Sequence, residues 1–158
     1  MPSVYLETSF VSAIVTDRSD PASVYRRETS EEWWSTQAPK FELAVSAEVI
    51  AELSDAAFRR SREALELIRD VPLWPIDEDV RGLARLLVSE KVMPAPVAGD
   101  ALHVAVATVY SADYVVSWNV RHLANPNKLD HLATICLRVG LMPPRIVTPE
   151  SLWEEVDG

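Results

Sequence analysis

The stretch Gly99 to Asn119, GDALHVAVATVYSADYVVSWN, decides the fold. Leu102, Val104, Ala105, Val106, Val109 and Tyr110 leave almost no polar face, which predicts a helix buried on most sides. Ser111-Ala112-Asp113 breaks it, and Tyr114 to Ser117 is a β-branched and aromatic run of strand length. One acid, Asp100, therefore opens a core helix, and the core strand that follows ends in the polar pair Ser117 and Asn119. A charge in so apolar a setting needs a chemical reason.

Working outward toward the N-terminus, Met93 to Pro96 is a proline-punctuated loop, and Asp77 to Asp79 caps a helix over Val80 to Ser89. Leu73-Trp74-Pro75-Ile76 contains a proline and is an edge strand at most. Asp55 to Arg69 reads as a charged amphipathic helix on the outside. Ala47 to Leu53 is a helix capped by Ser46 and preceded by a strand over Phe41 to Val45. Pro39 ends a helix that runs from Pro21 to about Gln37, and Asp17 to Pro21 is a turn. Ser3 to Leu6 is the first strand, after which Glu7-Thr8-Ser9 switches the pattern to helix. Toward the C-terminus, Arg121 to Pro126 is an irregular connection and Asn127 to Val139 a final long helix stopped by Pro143-Pro144. Arg145 to Val147 is the last strand, and Thr148-Pro149-Glu150 begins a helix that leads to Trp153. Strands alternating with helices, without repeat or linker, predict one domain over residues 1–158 with a central parallel sheet wrapped by helices.

The totals bound the function. At 158 residues, a domain buries about 68 to 70% of the surface its unfolded chain exposes, so no covalent staple is needed. The single cysteine, Cys136, excludes an internal disulfide framework and reads as a buried thiol in a reducing compartment. No apolar stretch reaches the roughly 18 residues of a membrane span and no targeting segment is visible, so a soluble cytoplasmic protein is expected. The net charge of -9 argues against a general nucleic-acid coat, whose affinity comes from phosphate counterion release by many Lys and Arg. It leaves room for phosphate chemistry at an acidic site, where a bound divalent cation supplies the positive field.

Ligands of open parallel α/β sheets sit beyond the carboxyl ends of the strands. Glu7 follows the first strand and Asn119 the fourth, Asp100 opens the helix leading into the latter, and Glu52 faces the same way as Val49 and Leu53. Three carboxylates and an amide can thus converge from four places in the chain. Hard oxygen donors of this kind suit Mg²⁺ or Mn²⁺. Glu48, one turn before Glu52, competes for the same role. His103, one turn after Asp100, reads as a satisfied core histidine with a hydrogen bond to Asp100 or to a phosphate as the alternative. His122 and His131 lack zinc-ligand spacing with each other or with Cys136, so no zinc site is expected. Arg59, Arg60 and Arg62 form the only basic run, read as a solvated helix face or as a guide for RNA. Trp33 and Trp34 are adjacent, so on a helix one of them is expected outside as a partner contact.

VYLETSFVSAI (Val4 to Ile14), VSAEVIAEL, GDALHVAVAT and YVVSWNVRHLAN resemble the four motif blocks of the PIN domain, in particular bacterial toxins of the VapC type, over Val4 to about Val147. The resemblance implies a three-layer α/β/α sandwich with a central parallel sheet and a Mg²⁺- or Mn²⁺-dependent endoribonuclease. It also implies an antitoxin partner encoded beside it, RNA as substrate, and a homodimer. Carried over by position, the motif acids fall on Glu7, Glu52 and Asp100, and the fourth on Asn119. Thr8 and Ser117 resemble the family's residues that orient water or metal. The family more often carries Asp at the first position, so Glu7 sets its carboxylate one methylene further out, and Asn119 brings no charge. Three formal negatives fit one firmly held ion better than two. The alternative is a PIN-fold RNA-binding or regulatory module with weakened catalysis. A phosphatase-like hydrolase is disfavoured, because Glu-Thr-Ser lacks the paired Asp of an aspartyl-phosphate mechanism.

Overall fold

The computed structural model describes residues 1–153. In chain order the elements are β1 (Ser3–Leu6), α1 (Thr8–Val15), α2 (Pro21–Thr36), β2 (Glu42–Ser46), α3 (Ala47–Leu53), α4 (Ser61–Leu67), β3 (Leu73–Trp74) and α5 (Glu78–Ser89). They continue with α6 (Asp100–Val109), β4 (Tyr114–Val116), α7 (Val120–Leu123), α8 (Pro126–Arg138) and β5 (Arg145–Val147). Short 3-10 turns cover Ala38–Lys40 and Pro149–Ser151.

The five strands form one parallel sheet in the order β3-β2-β1-β4-β5. The chain winds outward from β1 through β2 to β3, then returns across β1 to β4 and β5. The strand order therefore reverses between β1 and β4, and the crevice beyond their carboxyl ends is the place such sheets offer to a ligand. Leu6 lies opposite Val116 in that pair, and the Glu7 N–H extends the ladder to the Val116 carbonyl at 3.1 Å. The residues just past Leu6 and Val116 are thereby held side by side. Helix α1 packs against α2 and α4, and α5 against α6, completing the three-layer α/β/α sandwich.

Local chemistry explains the element ends. Ser46 accepts the Glu48 N–H at the head of α3, and Asp20, Asp77 and Asn125 cap α2, α5 and α8 in the same way. Residues Ala101 through Thr108 of α6 are all buried, as the continuous apolar run requires. Phe10 meets Trp33 edge-on at 5.3 Å, and Trp33 stacks on Phe41 at 5.8 Å. The Trp33 indole N–H donates to the Leu152 carbonyl at 2.7 Å, and the Tyr25 hydroxyl donates to Glu150 at 2.5 Å. Two bonds thus tie α2 to the last described segment.

Four expectations are corrected. The helix expected over Asp55 to Arg69 is confined to Ser61–Leu67, because Asp55 turns back to accept the Ala57 N–H and the chain reverses before Ser61. Val120–Leu123 forms a short helix where an irregular connection is expected, since Asn119 accepts the His122 and Leu123 N–H groups through its backbone carbonyl. The helix expected from Thr148 is a single 3-10 turn. Of the two tryptophans, Trp33 is fully buried, and Trp34, the outer one, is not fully exposed but partly buried, packing on Phe10 at 6.4 Å. Cys136 is a buried free thiol. Among the described residues no helix is long and apolar enough to cross a membrane.

Candidate functional site

Glu7 ends β1 and caps α1 from an extended backbone. Its Oε2 accepts the Ser9 N–H at 2.8 Å, the Ser9 hydroxyl, and the Ser117 hydroxyl at 2.9 Å from the end of β4. Glutamate is an uncommon cap, but its longer stem lets it reach N–H and hydroxyl donors on both sides of the switch point. Its hydrogen bonds within the described residues all fall on Oε2. The carboxylate lies in a site where only 3% of the residue is exposed.

Glu52 approaches from α3. Its Oε1 accepts the Thr8 hydroxyl at 2.6 Å and is bonded to His103 Nε2. Both glutamates are thus pinned through one oxygen, and Thr8 and Ser117 are the hydroxyls that do much of the pinning. His103 is fully buried on α6. Its Nδ1 lies 2.7 Å from the Tyr5 hydroxyl, which lies 2.8 Å from Ser46 Oγ. In the neutral ring with Nε2–H donating to Glu52, Nδ1 accepts from Tyr5 and Tyr5 accepts from Ser46; in the imidazolium both ring N–H groups donate and Tyr5 donates to Ser46, so the ring nitrogens and the Tyr5 hydroxyl keep their partners in either state.

The charges follow from this geometry. Burial would push Glu52 up, but the hydrogen bond and charge of His103, with the Thr8 hydroxyl, hold it below its ordinary value. Burial and the Glu52 charge push Glu48 up, against His103 and the backbone N–H of Gly99. His103 is raised: burial alone would lower it, and the hydrogen bond to Glu52 together with the charges of Glu7, Glu52 and Glu48 outweighs that. Burial raises Tyr5 strongly, with the same three carboxylates adding to it. The site therefore carries more negative charge than one imidazole offsets.

Asp100 sits half-buried in the first turn of α6, where its charge complements the helix dipole. Gly99 before it has φ of 98°, a backbone region that favours glycine, and its N–H meets the Glu48 carboxylate. Among the described residues Asp100 makes no side-chain hydrogen bond. Asn119 heads α7 without a side-chain cap, and its N–H donates to Ser117 Oγ at 2.9 Å. Hydrogen bonds join Glu7 with Ser117, and Glu52 with Thr8 and His103; Asp100 and the Asn119 side chain stand outside these bonds.

Several residues here were not legible as site residues. Ser9 donates twice to Glu7 and accepts the Trp118 N–H at 2.8 Å, and the hydroxyl run Glu7-Thr8-Ser9 is the signal for it. Tyr5 and Ser46 support His103. The one clue is a phenol inside an otherwise apolar strand, since a buried Tyr needs a partner. His103 is a satisfied core histidine, as expected, but its carboxylate partner is Glu52 and not Asp100. Glu48 joins Glu52 at the site.

A cleft of about 600 Å³ opens beside this centre, reaching from Ser9 and Asn119 to Arg18, Arg26, Arg59 and Arg60. Arg59 and Arg60 lie in the turn before α4, not on a helix face. Arg59 pairs with Asp17 at 3.3 Å, and Arg60 donates to the Val15 carbonyl at 3.1 Å. Arg26 lies 5.5 Å over the Trp118 ring.

The donor set is all hard oxygen around a surplus of negative charge, which fits Mg²⁺ or Mn²⁺ in chemistry. Among the described residues no three acidic, histidine or cysteine side chains are grouped as they would be around an ion.

Comparison with known proteins gives the site a family. Solved structures with a similar fold include Mycobacterium tuberculosis VapC20, described as a sarcin-ricin loop cleaving toxin, at 21% identity and TM-score 0.58, covering 77% of this chain and 93% of that one. VapBC2 of Rickettsia felis bound to a DNA fragment from their promoter matches at 14% identity and TM-score 0.58, over 96% and 99% of the two chains. VapBC-1 of nontypeable Haemophilus influenzae matches at 15% and 0.57, over 94% and 98%. Comparison with curated proteins finds no match. The PIN domain family model matches residues 4–125, a span that runs from β1 to Asn125 at the head of α8 and takes in every acid of the site: the chain belongs to the PIN domain family.

Proposed function

We propose that this protein is a Mg²⁺- or Mn²⁺-dependent endoribonuclease, the toxin of a cytoplasmic toxin-antitoxin pair. The observation that carries the reading is the pair Glu7 and Glu52, brought from β1 and α3 to the switch point and each held through a single oxygen. Family membership and the toxin description of one structural neighbour support it. Glu7, Glu52 and Asp100 hold the cation, with Asn119 completing the site through its amide oxygen. A divalent ion supplies charge neutralisation at a phosphodiester and a water acidic enough to ionise near neutral pH. Thr8 and Ser117 set the two glutamates through hydroxyl hydrogen bonds, and the arginines of the neighbouring cleft grip flanking phosphates that the acids would otherwise repel.

RNA cleavage in Mn²⁺ against EDTA, comparing the native protein with Asp100→Asn, tests the reading. Cleavage is expected only with Mn²⁺ and falls at least about a hundredfold in the variant, the scale of losing one charge-stabilising group. Equal rates in all conditions refute it. A co-expressed neighbouring antitoxin is expected to abolish the activity, and size-exclusion with light scattering is expected to report a homodimer. Asn119 in place of an acid favours a second reading, a regulatory PIN module without catalysis, which calorimetry showing no saturable Mn²⁺ binding would support.

A further inference from the structure

We propose that His103 is a positioning residue, the middle of a buried Ser46–Tyr5–His103 strut that sets the Glu52 carboxylate for cation binding. The inference rests on the metal-site reading above. The strut crosses the fold: Ser46 ends β2, Tyr5 lies within β1, His103 belongs to α6 and Glu52 to α3. Tyr5, Ser46 and His103 are each 0% exposed, and successive contacts of 2.8 and 2.7 Å run from Ser46 through Tyr5 to Nδ1, with Nε2 on Glu52 Oε1.

The surroundings make a purely packing role a poor account. Every other residue from Ala101 to Ala107 is a small or aliphatic group, so a leucine at 103 would match its helix and spare an imidazole its burial. A buried polar chain persists only when fully satisfied, and then it fixes geometry. This one leaves no buried side-chain N or O atom of the described residues without a partner. Its free end is an acidic side chain 36% exposed, so the rigidity of the interior is delivered to a group at the surface of the site. Because Asp100 and His103 stand one turn apart on α6, the strut also sets α3 against the helix that carries the third acid. Outer-sphere partners of metal-binding carboxylates act in this way, and their loss costs about 10- to 100-fold in metal affinity.

The test measures Mn²⁺ affinity of the metal-free full chain by calorimetry, with thermal melting alongside. Tyr5→Phe removes only the hydroxyl that holds His103 Nδ1, which does not itself touch Glu52, and is expected to raise the Mn²⁺ Kd about tenfold; His103→Leu raises it at least as much. His103→Gln keeps a donor near the Nε2 position and is expected to recover most of the loss. At saturating Mn²⁺ the KM for an RNA oligonucleotide stays within about twofold of the native value, because the strut touches Glu52 and not the arginine cleft. Lowered melting temperatures with unchanged Mn²⁺ Kd in Tyr5→Phe and His103→Leu overturn the proposal and make His103 a packing residue. A native chain that binds no Mn²⁺ overturns the metal-site reading itself, a result seen before any variant is made.

Discussion

Replacing Ser117 by alanine removes a single oxygen from the seam between β1 and β4, and the structure sets the size of the effect. Ser117 is fully buried, donates to Glu7 Oε2 at 2.9 Å and accepts the Asn119 N–H at 2.9 Å. The bond to Glu7 is charge-assisted, a class that contributes about 1.5 to 3 kcal/mol. Glu7 keeps both Ser9 donors, so its desolvation is only partly exposed and the lower half of that range applies. The Asn119 N–H is half-buried and can turn to water, adding little. A loss of about 2 kcal/mol follows, which for a chain of this size lowers Tm by about 4 to 8 °C. Urea unfolding in EDTA of the native chain, Ser117→Ala, Glu7→Gln and the double variant isolates the pair as a cycle, with an expected coupling of about 1 kcal/mol. A coupling inside the ~0.5 kcal/mol scatter of independent sites would refute the claim that Ser117 holds Glu7.

Three further outcomes are expected. The stability that Glu52 and His103 confer in EDTA has a pH window: Glu52 is depressed, so its share is present above about 4.3 and is lost as pH falls through its lowered value. His103 is raised, so its share is complete below about 6.5 and is lost as pH rises through its raised value. The difference in urea midpoint between the native chain and Glu52→Gln should therefore peak between these limits, and a peak above pH 8 contradicts the pairing. Arg59→Gln with Arg60→Gln, in the Asp100→Asn background, should weaken binding of single-stranded RNA and cut the slope of log K against log salt by about 0.7 per lost phosphate contact; an unchanged slope removes the cleft from the RNA path. Gly99→Ala meets no neighbour within 4 Å but must adopt φ near 98°, so it should cost about 1 to 3 kcal/mol in urea unfolding.

The frame of the fold is written in local chemistry. Ala47–Leu53 has the bounds that Ser46 and the apolar spacing predict, and β1 and β5 fall on their apolar runs. Departures occur where backbone satisfaction depends on a single side chain or carbonyl. Asp55 claims the Ala57 N–H and delays α4, and the Asn119 carbonyl starts α7. At the site, residue types were readable but partnerships were not. Helical spacing offers His103 a neighbour at Asp100, three residues away, whereas the sheet and α3 deliver Glu52, 51 positions distant. Nothing in a run of sequence records which carboxylate an imidazole meets across two elements. The same holds for Ser117 and Glu7, 110 positions apart, which become neighbours only because β1 pairs with β4.

The bonds from Tyr25 to Glu150 and from Trp33 to Leu152 make a latch on one wall of the arginine cleft, since α2 also carries Ser23 and Arg26. Its acceptors, Glu150 and the Leu152 carbonyl, come from the far end of the chain, and the latch shares no atom with Glu7, Glu52 or Asp100. The breadth of the entrance and the chemistry at its floor are thus separately adjustable. Changes at Glu150 or Leu152 can re-gauge the cleft, leaving the carboxylates and their hydroxyl braces as they are.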